Sequence, residues 1–337
     1  MSRVTKMCWL IGISLMSWQI PVAWASYHGE AFKGVNYLQT VEVSLNSFSS
    51  MQSLRKIKKN GADTVALIVF MHQKSVESTE INHSRAVTDG QLIQAITDAQ
   101  DIGLRVMLKP QMLVDDSWAG EIKPDSIQGW SRWFQSYQKL LQHYSRIAQR
   151  YKVDMLVIGT ELKYAAIQPQ FRQLIIEVRK IFMGELSYAA HGTAGLKQFP
   201  YWDMLDSVSL TLYPVLGKEW DVDLIDQLMV KKVDEIASIS EAIDKPLWVA
   251  EIGISSAQGS FRHPWLVVDK QKNSPDVEKQ AQVLGMWLKH LRKPWIKGVM
   301  VWSWSSNIEQ DGLMDTGFDI QNKPAEKRVS CYWKNEC

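Results

Sequence analysis

The sequence predicts an α/β fold of a single domain, a (β/α)8 TIM barrel in which eight parallel strands alternate with helices. Three observations predict it. Short apolar runs recur eight times between residues 32 and 305, segments with helical spacing separate most of them, and no low-complexity linker divides residues 27–337. Such alternation is typical of a parallel sheet with helical crossovers, and eight units are the number that closes a barrel.

Each predicted strand is a short run rich in branched and aromatic residues. The runs span residues 32–38, 63–72, 104–113, 153–162, 185–192, 207–215, 246–254 and 297–305. The clearest helical segments between them span residues 91–103, 133–151, 171–182 and 277–293. An open, doubly wound sheet is the structural alternative, but the turn after the first run lacks the glycine spacing that binds a dinucleotide or a phosphate group.

The amino-terminal segment has the order of a secretory signal peptide. Arg3 and Lys6 precede an apolar run, and Ala-Trp-Ala at residues 23–25 precedes Ser26. We therefore expect residues 1–25 to be removed, and residues 26–337 to form the barrel domain of an exported protein, periplasmic or extracellular. An uncleaved membrane anchor is the alternative, which the shortness of the run disfavours.

The charge balance excludes some classes of partner. Removal of the signal takes away two basic and no acidic residues, so the 38 basic residues of the whole chain fall to 36, equal to its 36 acidic residues. A neutral chain offers no electrostatic reason to bind nucleic acid or an anionic membrane. Nothing in the sequence predicts an obligate protein partner.

Cys331 and Cys337 are the cysteines that remain beyond the signal segment. In an oxidising compartment they are predicted to close a small disulfide loop, and free thiols are the alternative. No His-x-His or His-x-x-x-His pair predicts a metal site, and no Gly-x-Ser-x-Gly elbow predicts a serine hydrolase. We expect neither a metal nor a cofactor.

Two glutamates end the runs that the pattern assigns to the fourth and seventh strands. Glu161 follows VDMLVIGT and Glu251 follows KPLWVA. A carboxylate is costly to bury without a partner or a purpose. With a period of two, Glu161 shares its predicted face with Val157, and Glu251 shares its face with Val249. Strands four and seven are three units apart in a ring of eight, so the two carboxylates are expected to face each other across the barrel mouth.

Other polar and aromatic residues also end predicted strands, where barrel enzymes carry their functional groups. The candidates are Asn36, His72, Lys109, His191, Tyr213, Trp302 and Trp304. Packing is the alternative for both histidines and for one of the two tryptophans, and a solvated loop position is the alternative for Lys109. Hydrogen-bonding groups with flat aromatic walls suit a sugar ring. The carboxylate pair suits glycoside hydrolysis, in which one carboxylic acid protonates the leaving oxygen and a second carboxylate attacks the anomeric carbon or activates water.

A set of motifs in order along residues 32–327 carries a family resemblance. They are FKGVNYLQ, LKPQ followed by SWAGEI, IGTEL, AEIGI and GFDIQNKPAEK. The chain resembles glycoside hydrolase family 113, which belongs to a clan of retaining (β/α)8 glycosidases and is known for endo-β-1,4-mannanases. Two positions depart from the expected pattern. Thr160 stands where most of the clan has Asn, and Gln111 stands where family members tend to have His.

The resemblance implies that Glu161 is the general acid/base and Glu251 the nucleophile. It also implies that Trp302 is a platform under the sugar at the cleavage point, and that Tyr213 holds the nucleophile ionised. The further sugar contacts that it implies are Asn36, Lys109, Trp118 and His191. This mechanism needs Glu161 protonated and Glu251 ionised at rest, so we expect their surroundings to separate the two pKa values in that sense.

The predicted substrate is a β-linked polysaccharide or oligosaccharide, most like a β-1,4-mannan. A second hypothesis keeps the mechanism but assigns an exopolysaccharide or another β-glycan as the substrate. A third hypothesis is a carbohydrate-binding barrel without activity. The pair of opposed carboxylates argues against the third, because a site that only binds sugar has no need of them.

Overall fold

The computed structural model describes residues 31–83, 86–115, 117–266, 273–310 and 312–337. The predicted signal peptide, residues 1–25, lies outside these ranges and stays a prediction. Among the helices of the described ranges, none combines the length and the apolar character that a membrane span requires.

Strands and helices alternate along the described chain. The strands are β1 (Phe32–Leu38), β2 (Thr64–Gln73), β3 (Asn82–His83), β4 (Arg105–Val114), β5 (Met155–Thr160), β6 (Glu185–His191), β7 (Val208–Leu212), β8 (Leu247–Ile252) and β9 (Ile296–Ser305). The helices are α1 (Phe48–Lys59), α2 (Asp89–Asp101), α3 (Ile127–Arg150), α4 (Pro169–Arg179), α5 (Gly192–Gln198), α6 (Val222–Ile243), α7 (Val277–His290) and α8 (Pro324–Trp333). The eight predicted strands are all present, and β3 is an unpredicted strand of two residues.

The sheet closes into a barrel. Its order is β1-β9-β8-β7-β6-β5-β4-β2-β3, and β1 also pairs with β2. The strands of this ring pair in parallel, whereas β3 pairs antiparallel with β2 and is not part of the ring. The predicted (β/α)8 barrel is confirmed. In the numbering of the ring, β5 is the fourth strand and β8 is the seventh.

Local sequence signals begin several of the helices. Ser126 caps α3 by accepting a hydrogen bond from the Gly129 backbone N–H at 3.0 Å. Thr88 and Gln91 form a reciprocal capping box at the start of α2. Such side chains satisfy the backbone donors that the first helical turn leaves without partners. The helix starts are thus fixed locally, and the apolar faces of the helices then pack on the barrel.

Apolar packing on the two faces of the sheet positions the site. The larger cluster of the described residues lies between the strands and the helices. The smaller cluster draws on six strands and on no helix, so it fills the inside of the barrel, with members that include Ala66, Met107, Val157, Ala250 and Met300. This packed interior leaves the carboxyl ends of the strands for functional groups.

An irregularity in β8 aims Glu251 into the barrel. The pairing of β8 with β9 shifts register between Val249 and Ile252, and the pairing with β7 shifts in the same region. A bulge of this kind turns the side chains that follow it. Val249 belongs to the outer cluster and Ala250 to the inner one, yet Glu251 contacts Lys109 inside the barrel mouth. The predicted common face of Glu251 and Val249 is therefore wrong, although Glu251 does point inward.

A second irregularity separates Trp304 from Trp302. The register of β1 against β9 shifts, so that Asn36 pairs with Trp302 and Tyr37 pairs with Trp304. Trp304 is fully buried in the outer cluster, and its indole N–H donates to Ser53 Oγ of α1 at 2.8 Å. Regular alternation predicts both tryptophans on one face. The shift instead places Trp304 against the helical layer, outside the predicted sugar-binding site.

Cys331 and Cys337, the predicted pair, form a disulfide with their Cα atoms 5.3 Å apart. Cys331 lies in α8, so the bond fastens the end of the chain to this helix. The same helix contacts the start of the barrel, because Lys33 Nζ donates to the Trp333 backbone oxygen at 2.9 Å. The carboxyl-terminal helix is thereby joined to β1.

Closure of the barrel between β1 and β2 requires that residue 34 carry no side chain. A Cβ atom at Gly34 would lie 2.2 Å from the backbone oxygen of Thr64. We expect Gly34→Ala to lower the free energy of unfolding by about 1–3 kcal/mol, because the added methyl group forces the two strands apart. Urea denaturation followed by circular dichroism measures this loss.

Gly90→Ala in α2 is the matched control. A Cβ atom at Gly90 meets nothing within 4 Å, and alanine is the better helix former by about 1 kcal/mol. This variant should be at least as stable as the parent protein. Equal destabilisation by the two substitutions would contradict the steric argument at Gly34.

Candidate active site

Glu251, on the seventh strand of the ring, lies among hydrogen-bond donors. Lys109 Nζ and Gln111 Nε2 each donate to Glu251 Oε1 at 2.7 Å, and the Tyr213 hydroxyl donates to Oε2 at 3.0 Å. Lys109 and Gln111 are alternate residues of β4, and Tyr213 directly follows β7. Because each of these partners donates, the arrangement fits an ionised carboxylate.

Lys109 fixes the position of Glu251. Its ammonium group is fully buried. Besides Glu251, it donates to Asn36 Oδ1 at 2.7 Å and to the Ala250 backbone oxygen at 3.3 Å. Asn36 Nδ2 in turn donates to the Ala250 oxygen at 3.1 Å. A buried ammonium is costly unless its three N–H groups find acceptors, and these contacts supply them.

The ionisation of Glu251 is coupled to that of Lys109. Burial raises the pKa of Glu251 and the Glu161 carboxylate adds to the rise, whereas the Lys109 ammonium and the Tyr213 hydroxyl oppose it. Burial lowers the pKa of Lys109, and Glu251 opposes that change. Each charge is tolerated in the apolar barrel because the other is 2.7 Å away.

Glu161 directly follows β5, with its backbone in the left-handed region at φ 56°. This conformation is uncommon for a residue with a side chain and is often found at functional sites. Trp118 Nε1 donates to Glu161 Oε2 at 2.7 Å, and His191 Nδ1 lies 3.0 Å from Oε1. The Thr211 hydroxyl also donates to Oε1. Both carboxylate oxygens are therefore engaged.

The surroundings of Glu161 favour its charged form. Burial raises the pKa of Glu161, but the contacts with His191, Thr211 and Trp118 outweigh burial and lower the pKa below its ordinary value. The hydrogen bond with Glu161 raises the pKa of His191, although burial opposes the rise. The pKa of Glu251 is therefore raised and that of Glu161 is lowered. The sequence predicts the reverse, a protonated Glu161 and an ionised Glu251.

Thr211 links the two carboxylates in space. It pairs in register with Glu251 across β7 and β8, and its hydroxyl donates to Glu161. Neighbouring strands lie about 4.8 Å apart. Two residues further on, Tyr213 reaches the second oxygen of Glu251. The two carboxylates therefore lie on either side of the end of β7, near enough for the charge of Glu161 to affect the pKa of Glu251.

Most of the predicted site residues gather around these carboxylates. The residues that contact one of them, directly or through Lys109, are Asn36, Lys109, Trp118, His191 and Tyr213. Trp302 lies beside this group, with its ring centre 5.9 Å from Lys109 Nζ. His72 does not join it, because its Nε2 lies 2.7 Å from Asp115 Oδ1 in an exposed pair. Trp304 packs against α1 and lies outside the site.

Gln111 and Thr211, which contact Glu251 and Glu161, are not among the residues predicted from the sequence. Period-two alternation was the available signal, since Gln111 lies two residues after Lys109 and Thr211 lies two residues before Tyr213. In the sequence, Gln111 stands out only as a departure from the family pattern.

The arrangement brings a buried carboxylate and a carboxylate paired with a titratable imidazole to one opening. Such a pair can supply a nucleophile and a proton carrier for the cleavage of a glycosidic bond. In the part of the chain that the structure describes, no group of three or more His, Cys, Asp or Glu side chains is placed to hold a metal ion.

Comparison with known proteins gives a family and a set of similar structures. The model of Glycoside Hydrolase Family 113 matches residues 38–323. A GH113 β-1,4-mannanase solved as a complex is 26% identical, with 91% of this chain and 99% of that chain covered and a TM-score of 0.80. No curated protein matches the sequence significantly.

Two further structures share the fold. The GH113 β-mannanase AaManA from Alicyclobacillus acidocaldarius, in complex with ManMIm, is 23% identical, with 93% of this chain and 100% of that chain covered and a TM-score of 0.82. A β-glucuronidase from Ruminococcus gnavus is 13% identical, with 90% of this chain and 49% of that chain covered and a TM-score of 0.60.

Lys109→Met removes the buried cation but keeps a side chain of similar length. We expect it to lower the free energy of unfolding by about 3–5 kcal/mol at neutral pH, because Glu251 loses its counter-charge in a buried site. A carboxyl group whose pKa is raised in the folded state destabilises the fold as the pH rises through that pKa. The difference in the free energy of unfolding between parent and variant should therefore be smaller at acid pH. Urea denaturation over a pH series measures it.

Lys180→Met is the matched control for this prediction. Lys180 also lies 2.8 Å from a glutamate, Glu177, but its side chain is 63% exposed, and an exposed ion pair contributes about 0–1 kcal/mol. Adding Glu251→Gln to Lys109→Met should recover part of the loss, because an amide needs no counter-charge. Equal losses for the two lysine variants would contradict the stabilising role of the buried pair.

Proposed function

Because the chain belongs to glycoside hydrolase family 113 and is a glycoside hydrolase, we propose that it is a retaining endo-β-1,4-mannanase. In this proposal Glu251 is the nucleophile and Glu161 is the general acid/base. The observation that carries it is the pair of glutamates at the ends of the fourth and seventh strands, each among its own donors and both beside the end of β7.

The surroundings of Glu251 suit a nucleophile. A carboxyl group attacks in its ionised form, and the donors around Glu251 favour that form although burial raises its pKa. Among the described residues, Oε1 accepts from Lys109 and Gln111, whereas Oε2 accepts from Tyr213 alone. Oε2 is therefore the oxygen better placed to form the bond. Burial raises the pKa of Tyr213 well above its ordinary value, so its hydroxyl stays protonated and remains a donor.

The surroundings of Glu161 suit a group that exchanges protons. Its side chain is 17% exposed, against 7% for Glu251. A general acid/base must reach the leaving oxygen in the first step and a water molecule in the second. Of the two glutamates, Glu161 is thus the one nearer to solvent and the one beside the titratable His191.

The proposed reaction has two displacements. Glu251 attacks the anomeric carbon while Glu161 delivers a proton to the departing oxygen, which yields a glycosyl-enzyme ester and a shortened chain. Glu161 then takes a proton from water, and that water attacks the anomeric carbon and releases Glu251. Each displacement inverts the anomeric carbon, so the product keeps the β configuration.

The choice of β-1,4-mannan as the substrate rests on the relatives. Both GH113 structures are described as β-mannanases, and one of them is 26% identical to this chain over nearly its whole length. Trp302 offers an aromatic ring beside Lys109 at the opening of the site. Aromatic rings combine a large apolar face with a polar edge, which suits the apolar face of a sugar.

Purified protein should release oligosaccharides from β-mannan and glucomannan faster than from xylan or mixed-linkage β-glucan. Fragments of several sugars among the first products would support endo cleavage. NMR recorded early in the reaction should show the β-anomer as the first product, because two inversions retain the configuration. An α-anomer would contradict the retaining mechanism, and activity confined to xylan or β-glucan would contradict the substrate.

Glu251→Ala should lower turnover by about 10⁴-fold or more, the scale found when a hydrolase loses its nucleophile. On 2,4-dinitrophenyl β-mannobioside, added azide should restore turnover and give the α-azide, because azide attacks once and inverts. With Glu161→Ala the same reagent should give the β-azide, because it attacks the glycosyl-enzyme.

Glu177→Ala, on the surface of α4, is the control and should keep full activity. Circular dichroism of each variant checks its folding. If Glu251→Ala gave the β-azide and Glu161→Ala gave the α-azide, the proposed roles of the two glutamates would have to be exchanged.

A further inference from the structure

His191 ends β6, and its ring nitrogen Nδ1 lies 3.0 Å from Glu161 Oε1. We propose that His191 is the proton store of the catalytic acid, so that its Nδ1 holds the proton that Glu161 passes to the leaving oxygen. This inference rests on the proposed function, in which Glu161 is the general acid/base. It replaces the implied role of His191 as a sugar contact.

The hydrogen bonds of Glu161 show why a store is needed. Its two oxygens accept from Trp118 and Thr211, and His191 lies against the same oxygen as Thr211. An indole N–H and a hydroxyl group do not titrate near neutral pH, whereas an imidazole does. Of these three partners, His191 is therefore the one that can give Glu161 a proton. A carboxylate with these partners is ionised at rest, so the acid step begins with transfer of a proton to Glu161.

The charges around His191 are consistent with this role. Glu161 favours the imidazolium, and Lys163, in the turn after β5, opposes it. The Trp118 ring lies 4.7 Å from the imidazole ring, between centres, and an aromatic ring attracts a cation at this range. Tyr188 of β6 and three residues of α5 line the same small cavity. The Tyr188 hydroxyl stays neutral because burial raises its pKa well above the ordinary value. On balance the pKa of His191 is raised.

His191 is more accessible to solvent than Glu161. The His191 side chain is 49% exposed, whereas that of Glu161 is 17% exposed. The imidazole can therefore exchange protons with water between turnovers, while the carboxyl group beside it stays enclosed and aimed. This division keeps Glu161 fixed by its donors and still provides a proton for each cleavage.

The proton moves from His191 to Glu161 and then to the leaving oxygen. The N–H bond of His191 breaks and an O–H bond forms on Glu161, which makes His191 neutral. As the bond between the anomeric carbon and the leaving oxygen breaks, that oxygen keeps the electron pair and takes the proton from Glu161, and Glu251 forms the ester. In the second step water gives a proton to Glu161, which returns it to Nδ1 of His191, and the remaining hydroxide displaces Glu251.

NMR of the imidazole nitrogens measures the protonation of His191 directly, without a substrate. The His191 signal, assigned by its loss in His191→Asn, should titrate above the ordinary pKa of about 6.5. The same signal should titrate at lower pH in Glu161→Gln, since the amide carries no charge to stabilise the imidazolium. Titration of His191 at or below 6.5 in the parent protein, or no change in Glu161→Gln, would overturn the proposal.

Kinetics on aryl β-mannobiosides test the catalytic consequence. His191→Asn should lower kcat/KM for a phenyl leaving group by about tenfold or more. It should have little effect for 2,4-dinitrophenyl, because that group departs without a proton. The alkaline limb of the pH profile should also move to lower pH, because the proton must then reside on Glu161 itself. Equal losses on both leaving groups, with an unmoved limb, would assign His191 to sugar binding and overturn the proposal.

Thr211→Val is the matched control, because it removes a hydrogen bond from the same oxygen of Glu161 but no titrating group. It should impair the phenyl substrate through poorer positioning of Glu161, yet leave the alkaline limb at or above its original pH. If the alkaline limb of the pH profile moved to lower pH equally in both variants, the proposed role of His191 would be overturned. The azide products of Glu161→Ala report separately on whether Glu161 is the acid/base, so failure of the proposed function is distinguishable from failure of this inference.

Discussion

The buried ammonium of Lys109 is the interaction on which the site depends. It lies at the boundary between the apolar interior of the barrel and the polar strand ends, where an unpaired charge would be strongly destabilising. Its acceptors come from β1 and β8, while Lys109 itself belongs to β4. One side chain thus connects distant parts of the ring and holds Glu251 in place. Gln111 and Tyr213 then complete the shell of this carboxylate.

The candidate active site contains two pairs of a carboxylate and a basic group, and the pairs differ in depth. Lys109 and Glu251 are 0% and 7% exposed, whereas His191 and Glu161 are 49% and 17% exposed. Burial isolates the deep pair from solvent, so its charges stay fixed, which suits a nucleophile. Exposure connects the shallow pair to water, which suits a proton carrier. The difference in depth supports the two proposed roles, although the pKa of Glu161 is lowered and that of Glu251 is raised.

Much of the fold follows from local patterns that the sequence displays. The eight strands lie within one to three residues of their predicted limits, because each is a compact apolar run, and Glu161 and Glu251 stand at the ends of two of them. The environment of each glutamate was not predictable in this way. His191 and Thr211 contact Glu161 across 30 and 50 residues of sequence, so only the pairing of β5, β6 and β7 brings them together. The inverted order of the pKa values follows from these distant contacts.

Irregular backbone accounts for the remaining differences in the strands, and three irregularities lie beside the two glutamates and Trp302. Glu161 adopts a positive φ, β8 shifts register beside Glu251, and β9 shifts register between Trp302 and Trp304. A period of two describes a regular strand, whereas a bulge depends on the register of the neighbouring strands, which no single segment encodes. Each of these three irregularities lies near the carboxyl end of its strand, next to the apolar cluster inside the barrel. Packing alone would favour continuing the regular strand. The departures instead bring two carboxylates and the Trp302 ring together around Lys109 and the end of β7.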